Sequence, residues 1–386
     1  MELELGWILL GLPLAFALGW LASRLDLRQL RIENRLAPKA YFRGLNHLLN
    51  EQQDEAIDAF IEAVQKDPDT SELHFALGNL FRRRGEYERA IRVHEHLLSR
   101  ADLGRDDHER AQYALAMDFL KAGLLDRAEA ALLRLEHSSH RDQAWLTLLG
   151  LHERARDWEQ AAEVGRQLQQ SGPGDFSARL SHYLCEQAEQ ALSRGHDPQR
   201  ARQLLEQAMS DHPQAARPRI QLAGMLAEQG QTDAALDELL KLPRHAPQAM
   251  ALVASELVRL AQDSGRLESA IEVLQQSYAT SASIDVADAL VRAELARGQP
   301  SAQALQGYVR HMEQEPSLIA ASRWLGHERF GEPNEQAAVM QSLQHASRPL
   351  TRYRCAACGF ETQGYFWQCP GCLAWESFPP RRIEEL

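Results

Sequence analysis

Three regimes of hydrophobic patterning follow one another along the chain. From Leu5 to Ala22 runs an uncharged stretch, LGWILLGLPLAFALGWLA. From about residue 37 the apolar positions recur at helical spacing, broken by short polar turns. Near the C-terminus both patterns stop, and aromatic residues and cysteines crowd together. The first run, as a helix rising about 1.5 Å per residue, spans about 27 Å, enough for a bilayer core. Trp7 and Trp20 fall near its two ends, where headgroups favour amphipathic rings. Glu2 and Glu4 precede it, and Arg24, Arg28, Arg31, Arg35, Lys39 and Arg43 follow it. A cleaved signal peptide would carry its positive charge at the start. A retained anchor is therefore expected over 1–22, with the N-terminus outside and the rest of the chain on the cytoplasmic side. A buried soluble helix is the other reading. Gly11, Ala15 and Gly19 form a small-residue stripe on which a second membrane helix could pack, although such residues are common in membrane helices. Pro13 would bend the span slightly. Arg24, Arg28, Arg31 and Arg35 share one face of the juxtamembrane segment 23–36. That face is either ordinary positive flanking or a ridge for anionic lipid or an acidic partner.

The middle regime has a period. Ala56, Ala90, Ala128, Ala161, Ala201, Ala235, Ala270 and Ala304 follow one another at steps of 34, 38, 33, 40, 34, 35 and 34. Each opens a second helix after a turn, as in RRGEYERA (83–90) and DSGRLESA (263–270). Gly44 and Gly78 hold matching places in first helices, and Trp145 and Leu148 take first-helix core places in the fourth unit. Pro68, Pro213 and Pro316 close second helices. Small residues belong where two helices cross closely, and large apolar ones fill the gaps between pairs. One pair cannot bury its apolar face alone, so the pairs must stack. The steps of 38 and 40 predict extended loops around 102–107 and 171–198, with a bend at SGPGD (171–175).

The pattern resembles the tetratricopeptide repeat over about 37–345, with eight units and a degenerate ninth in SLIAASRWLGHERF. The implied fold class is all-α: a repeat solenoid with a concave binding face, an N-terminal transmembrane helix and a small C-terminal metal module. Little chemistry stands in the array. His94, Glu95 and His96 lack the spacing of a zinc-protease helix, and His137 and His140 flank two serines in a loop. No nucleotide-binding or nucleophile-elbow motif occurs, so a non-enzyme is expected.

The strongest signal is YRCAACGFETQGYFWQCPGC (353–372), which places Cys355, Cys358, Cys369 and Cys372 as C-x2-C-x10-C-x2-C. Two such turns facing each other make a tetrahedral sulfur cage for one iron or zinc ion. The segment 351–380 is too short to fold without such a staple. Of five cysteines only Cys185 stands apart, as a small buried apolar residue in a helical pattern. The clustering fits a reducing compartment better than a disulfide framework. A formal net charge of −12 argues against nucleic acid as a partner.

The two knuckles resemble rubredoxin, with a shorter link and with Leu373 where a glycine is usual. Tyr365, Phe366, Trp367, Trp375 and Phe378 are too many aromatics for so small a body to bury, so some should pack on the array as a structural clasp. Anchor, repeats and tail in this order resemble the lipopolysaccharide assembly protein B family of Gram-negative bacteria. The resemblance implies a single-pass inner-membrane adaptor without catalysis. It implies control of lipopolysaccharide synthesis by promoting degradation of the lipid A pathway deacetylase by the membrane AAA protease FtsH. Its implied partners are that protease, the deacetylase, other lipopolysaccharide-synthesis or transport proteins, and the inner membrane. A scaffold gathering lipopolysaccharide enzymes and a rubredoxin-like redox protein are the alternatives.

Overall fold

A computed structural model of the chain describes Phe16, Ala17, Trp20, residues 39–171 and residues 174–386. Among these residues no helix is long and apolar enough to cross a membrane. Apart from Phe16, Ala17 and Trp20, the expected anchor, with its Gly11, Ala15 and Gly19 stripe, and the ridge of Arg24, Arg28, Arg31 and Arg35 lie outside the described residues, as do Gly172 and Pro173 of the expected bend.

The alternation of first and second helices follows the alanine register. Helix α1 occupies 39–49. It is followed by α2 (Gln53–Lys66), α3 (Ser71–Arg83), α4 (Tyr87–Ser99), α5 (Arg105–Lys121), α6 (Leu125–Leu133) and α7 (Arg141–Ala155). These belong to a first compact unit ending at Arg156. The second unit, Asp157–Leu386, begins with α8 (Trp158–Ser171), α9 (Ser177–Ser193), α10 (Pro198–Asp211), α11 (Ala216–Glu228) and α12 (Thr232–His245). It continues with α13 (Met250–Asp263), α14 (Leu267–Thr280), α15 (Ile284–Ala296), α16 (Ser301–Ala304) and α17 (Gln306–Gln314). The degenerate ninth unit is α18 (Leu318–Leu325) and α19 (Pro333–Ser347).

The eight register alanines all lie on second helices and all are buried, with Ala304 the most accessible at 4%. Their smallness is needed because the partner helix leaves no more room. A Cβ on Gly44 would sit 2.8 Å from the Phe60 ring, and one on Gly78 would sit 2.5 Å from the His94 ring. Helices α2, α10 and α17 end two residues before Pro68, Pro213 and Pro316. Turns between paired helices pass through the left-handed region at Gly85 (φ 80°) and Gly265 (φ 66°). At the fourth such turn Arg156 takes that conformation (φ 56°).

The long steps are not loops. The extra residues lengthen first helices: α5 and α9 each have 17 residues, against 13 in α3 and α11. The runs RDDHERAQYALAMDFLK and SARLSHYLCEQAEQALS are rich in strong helix formers, and nothing in them stops propagation. Trp145 is only half-buried, and Ala144 takes the core place beside Leu148.

In the first unit, His94 is a buried structural residue. Its Nδ1 lies 2.5 Å from Asp118 Oδ2, and Arg82 Nη1 donates to Asp118 Oδ1 at 2.8 Å. Glu95 pairs with Arg127 at the surface, His96 and His137 are exposed, and His140 lies against the Tyr113 ring. In the second unit one continuous core runs from Leu184 to Ala293, with Cys185 fully buried in it. Burial pushes the Cys185 thiol up to about 12, so it stays protonated.

Candidate metal centre

The cysteine module is built from two turns of the same design. In the first, β1 (Tyr353–Arg354) pairs antiparallel with β2 (Glu361–Thr362), Tyr353 opposite Thr362 and Arg354 opposite Glu361. Between them the Cys355 amide donates to Phe360 O and the Gly359 amide donates to Cys355 O, both at 2.9 Å. In the second, Gln368 bridges Trp375, the Cys369 amide donates to Ala374 O at 2.9 Å, and the Leu373 amide donates to Cys369 O at 2.8 Å. The residue after the second cysteine of each pair must turn left-handed: Gly359 has φ 78° and Leu373 φ 61°. Leucine there accepts a conformation that costs roughly 1–2 kcal/mol for a residue with a Cβ.

This design aims four sulfurs at one point. Cys355 Sγ lies 3.8 Å from Cys372 Sγ, Cys358 Sγ lies 3.7 Å from Cys369 Sγ, and all four lie within 4.8 Å of one another. A tetrahedral ion with metal–sulfur bonds near 2.3 Å requires sulfur–sulfur edges of about 3.8 Å. Disulfide bonding would require about 2.05 Å. All five cysteines are free thiols. Among the described residues this is the one group of three or more Cys, His, Asp or Glu with the closeness that a metal ion needs. The donor set fits either iron or zinc, and Cys355, Cys358, Cys369 and Cys372 are the residues that would hold it. When bound, the ion supplies a tetrahedral crosslink between the two turns.

The sulfurs alone do not ionise together. Burial opposes ionisation of Cys355, but its hydrogen bond with Ser377 and those from the amides of Cys358 and Ala357 outweigh it and bring that thiol down to about 6. At Cys358 the Phe360 amide favours the thiolate, yet burial and the three neighbouring sulfurs prevail and push it up to about 12. The Cys355 thiolate therefore forms readily, while Cys358 and Cys372, both raised, await a cation.

The first cysteine of each pair faces inward, Cys355 being 1% and Cys369 0% exposed, while Cys358 and Cys372 reach solvent. The inward side is docked on the helices of the second unit. Trp375 stacks on His182 of α9 at 4.7 Å and meets Trp158 and Tyr183 edge-on, each at 6.0 Å. Trp367 packs against the helical core, and Leu252 of α13 lies against the cluster of Tyr353, Cys355, Cys369 and Phe378. His182 Nε2 lies 3.1 Å from Glu376 Oε1. Burial holds His182 below its ordinary value, and the His182 hydrogen bond holds Glu376 below the usual carboxylate range. A neutral imidazole therefore donates to an ionised carboxylate. Of the aromatics marked in the sequence, Tyr365, Trp367, Trp375 and Phe378 join this docking or the small core behind it, while Phe366 is 41% exposed.

The segment beyond residue 380, which the sequence reading left outside the module, locks it down. Arg382 forms a two-pronged pair with Asp285 (2.6 and 3.1 Å) and lies over the Tyr353 ring. Arg381 reaches Ser281 at 3.1 Å. The Glu385 carboxylate accepts from the Ile284 amide at the start of α15 (2.6 Å). Glu384 accepts from Ser317 Oγ (2.7 Å) and from the amides of Leu318 and Ile319 at the start of α18. Two helix N-termini are thus capped by the last turn of the chain. Sequence patterning carried no sign of His182, Asp285 or Ser317 as partners, because nothing periodic links them to the tail.

Fold and site together define a class: a tetratricopeptide-repeat protein with a C-terminal rubredoxin-type metal module. Tetratricopeptide-repeat models match residues 73–109, 113–176 and 191–260, and the model described as rubredoxin metal binding domain matches 353–380. The chain is 30% identical to lipopolysaccharide assembly protein B of Escherichia coli (strain K12), over 98% of each chain. It is 27% identical to the protein of the same name from Haemophilus influenzae, over 97% of this chain and 98% of that one. The chain belongs to the lipopolysaccharide assembly protein B family. A tetratricopeptide repeat protein from Parabacteroides merdae aligns in structure over 66% of this chain and 97% of that one, with 13% identity and a TM-score of 0.34.

Proposed function

We propose that the chain is a non-catalytic adaptor of lipopolysaccharide assembly, held at the inner membrane by residues 1–22, with its repeats and metal module on the cytoplasmic side. The observation that carries this reading is the whole-length kinship with proteins named for lipopolysaccharide assembly. The uncharged run Leu5–Ala22 and the arginines after it support the anchor and its orientation. In this reading the repeats bring the lipid A pathway deacetylase to the membrane protease FtsH. Confinement to the same membrane raises the effective concentration of adaptor beside protease. The metal module holds the repeats in shape, and iron and zinc would serve that role equally.

The test is the half-life of the deacetylase after depletion of this protein. Prolongation, reversed by the full chain and not by a chain lacking residues 1–22, is the expected result. An unchanged half-life overturns the proteolytic role and leaves the gathering of synthesis enzymes as the reading. Reversible redox cycling of the bound metal at an accessible potential would favour electron transfer instead.

A further inference from the structure

The tail and the metal module lie across the N-terminal ends of α9, α11, α13 and α15, so part of the first-helix side of this region is already taken. On the second-helix side, between α14 and α17 and with α15 as its floor, lies a groove of about 340 Å³. Among the described residues, no residue of the tail or the module lines it. Small residues make it: Ala279, Ala287, Ala304 and Gly307 line it where larger side chains would fill it. Gly307 is needed for the close fit of α17 on α15, since a Cβ there would sit 2.7 Å from Val291 Cγ2. Leu290 and Val291 give the floor its apolar character.

The rim is polar and, among the described residues, carries one guanidinium with no ion pair. Glu294 lines the groove, its carboxylate turned to Arg297, which it shares with Glu268. Arg310 lines it too and, among the described residues, makes no ion pair or hydrogen bond. Gln275 likewise has no side-chain partner. The Tyr278 hydroxyl meets His311 Nδ1 at 2.7 Å and Gln314 Oε1 at 3.2 Å, which leaves the amide NH2 of Gln314 free to donate. A volume near the lower end of ligand pockets, roughly 300 Å³, suits one bulky side chain. A free guanidinium at the edge selects a carboxylate beside it. Two carboxamides on opposite walls suit a peptide backbone, which an acyl chain does not offer.

We infer that the groove between α14 and α17 is a docking site for a peptide segment presenting a bulky apolar side chain flanked by carboxylates. The inference concerns this surface alone and does not rest on the proposed link to proteolysis.

The test uses the full chain in lipid nanodiscs and fluorescein-labelled Gly/Ser peptides with a central Asp-Phe-Asp, Lys-Phe-Lys or Asp-Ser-Asp, read by anisotropy. Asp-Phe-Asp should bind at least tenfold tighter than Asp-Ser-Asp. Ala279→Phe, at an exposed position of α14, should plug the groove and abolish that preference. Arg310→Glu should reverse the order of the Asp-flanked and Lys-flanked peptides. Unchanged circular dichroism and metal content certify both variants. Equal binding of the Phe and Ser peptides, or binding that survives Ala279→Phe, overturns the inference. So does dodecanoate occupying the groove in preference to every peptide, for the groove would then be an acyl-chain site.

Discussion

Replacing Glu384 by Ala tests whether the chain end is coupled to the repeats. The carboxylate caps α18, a helix of only eight residues, by accepting from Ser317 Oγ and the amides of Leu318 and Ile319. Loss of an N-terminal cap costs about 1 kcal/mol. Loss of a partly buried negative charge from the same helix end adds about 1 kcal/mol. Ser317 Oγ also accepts from the Ala320 amide at 2.9 Å, so one cap bond survives and the total should be near 2 kcal/mol rather than more. That corresponds to about a 30-fold change in a local opening equilibrium. Hydrogen exchange of the full chain should show the Leu318 and Ile319 amides exchanging about 30-fold faster, with residues 382–386 following. Glu384→Gln, which keeps an acceptor and loses the charge, should give roughly half the free-energy effect. Protection at Leu318 and Ile319 within threefold of wild type in Glu384→Ala would refute the reasoning, for the tail would then rest on the array without stabilising it.

Cys355→Ser with Cys358→Ser should abolish metal binding, because structural zinc supplies about 10–16 kcal/mol in such modules; tryptophan emission should shift red as Trp367 and Trp375 leave the array, and a retained equivalent of metal by elemental analysis would contradict this. Leu373→Gly should raise the midpoint for metal loss to a chelator by relieving about 1 kcal/mol of left-handed strain, since Leu373 is 42% exposed and loses little packing. Acidification should loosen the docked module in two stages. The undocked His182 takes up a proton near pH 6.5 and the buried one resists it, so stability falls from there downward; the depressed Glu376 adds its loss as pH drops below about 4.5. Trp375 emission with metal content tracked reads both stages, and His182→Gln should remove the first; an unchanged onset in that variant would rule out His182 as its source.

The eight alanines were legible because the demand they meet is local and periodic: two helices crossing closely need a small residue once per repeat, and the chain supplies it at Ala56 and seven times after. The four thiols were legible for a similar reason, since each C-x-x-C turn carries its own geometry. Register steps alone cannot tell an inserted loop from a longer helix, and the extra residues of α5 and α9 were misassigned for that reason. The surplus of aromatics around the cysteines showed that the module must lean on something, but not on what. Trp375 finds His182 almost two hundred residues earlier, and no spacing rule connects them. Leu373 was visible as a departure from glycine; only the backbone shows that the left-handed turn is kept regardless.

Those long-range links change how the second unit holds together. In a bare repeat array each pair touches only its neighbours, and stability is a sum of local terms, so the array can open at either end or in the middle. Here the small module and the tail that follows it tie α9 through Glu376, α15 through Arg382 and Glu385, and α18 through Glu384. Opening any one of these helices independently now breaks a contact with the module, and losing the module uncaps α15 and α18 and unstacks His182 together. The module is too small to keep its own fold without a crosslink. Loss of the metal crosslink should therefore loosen α9, α15 and α18 together, although α9 to α15 already share one apolar core.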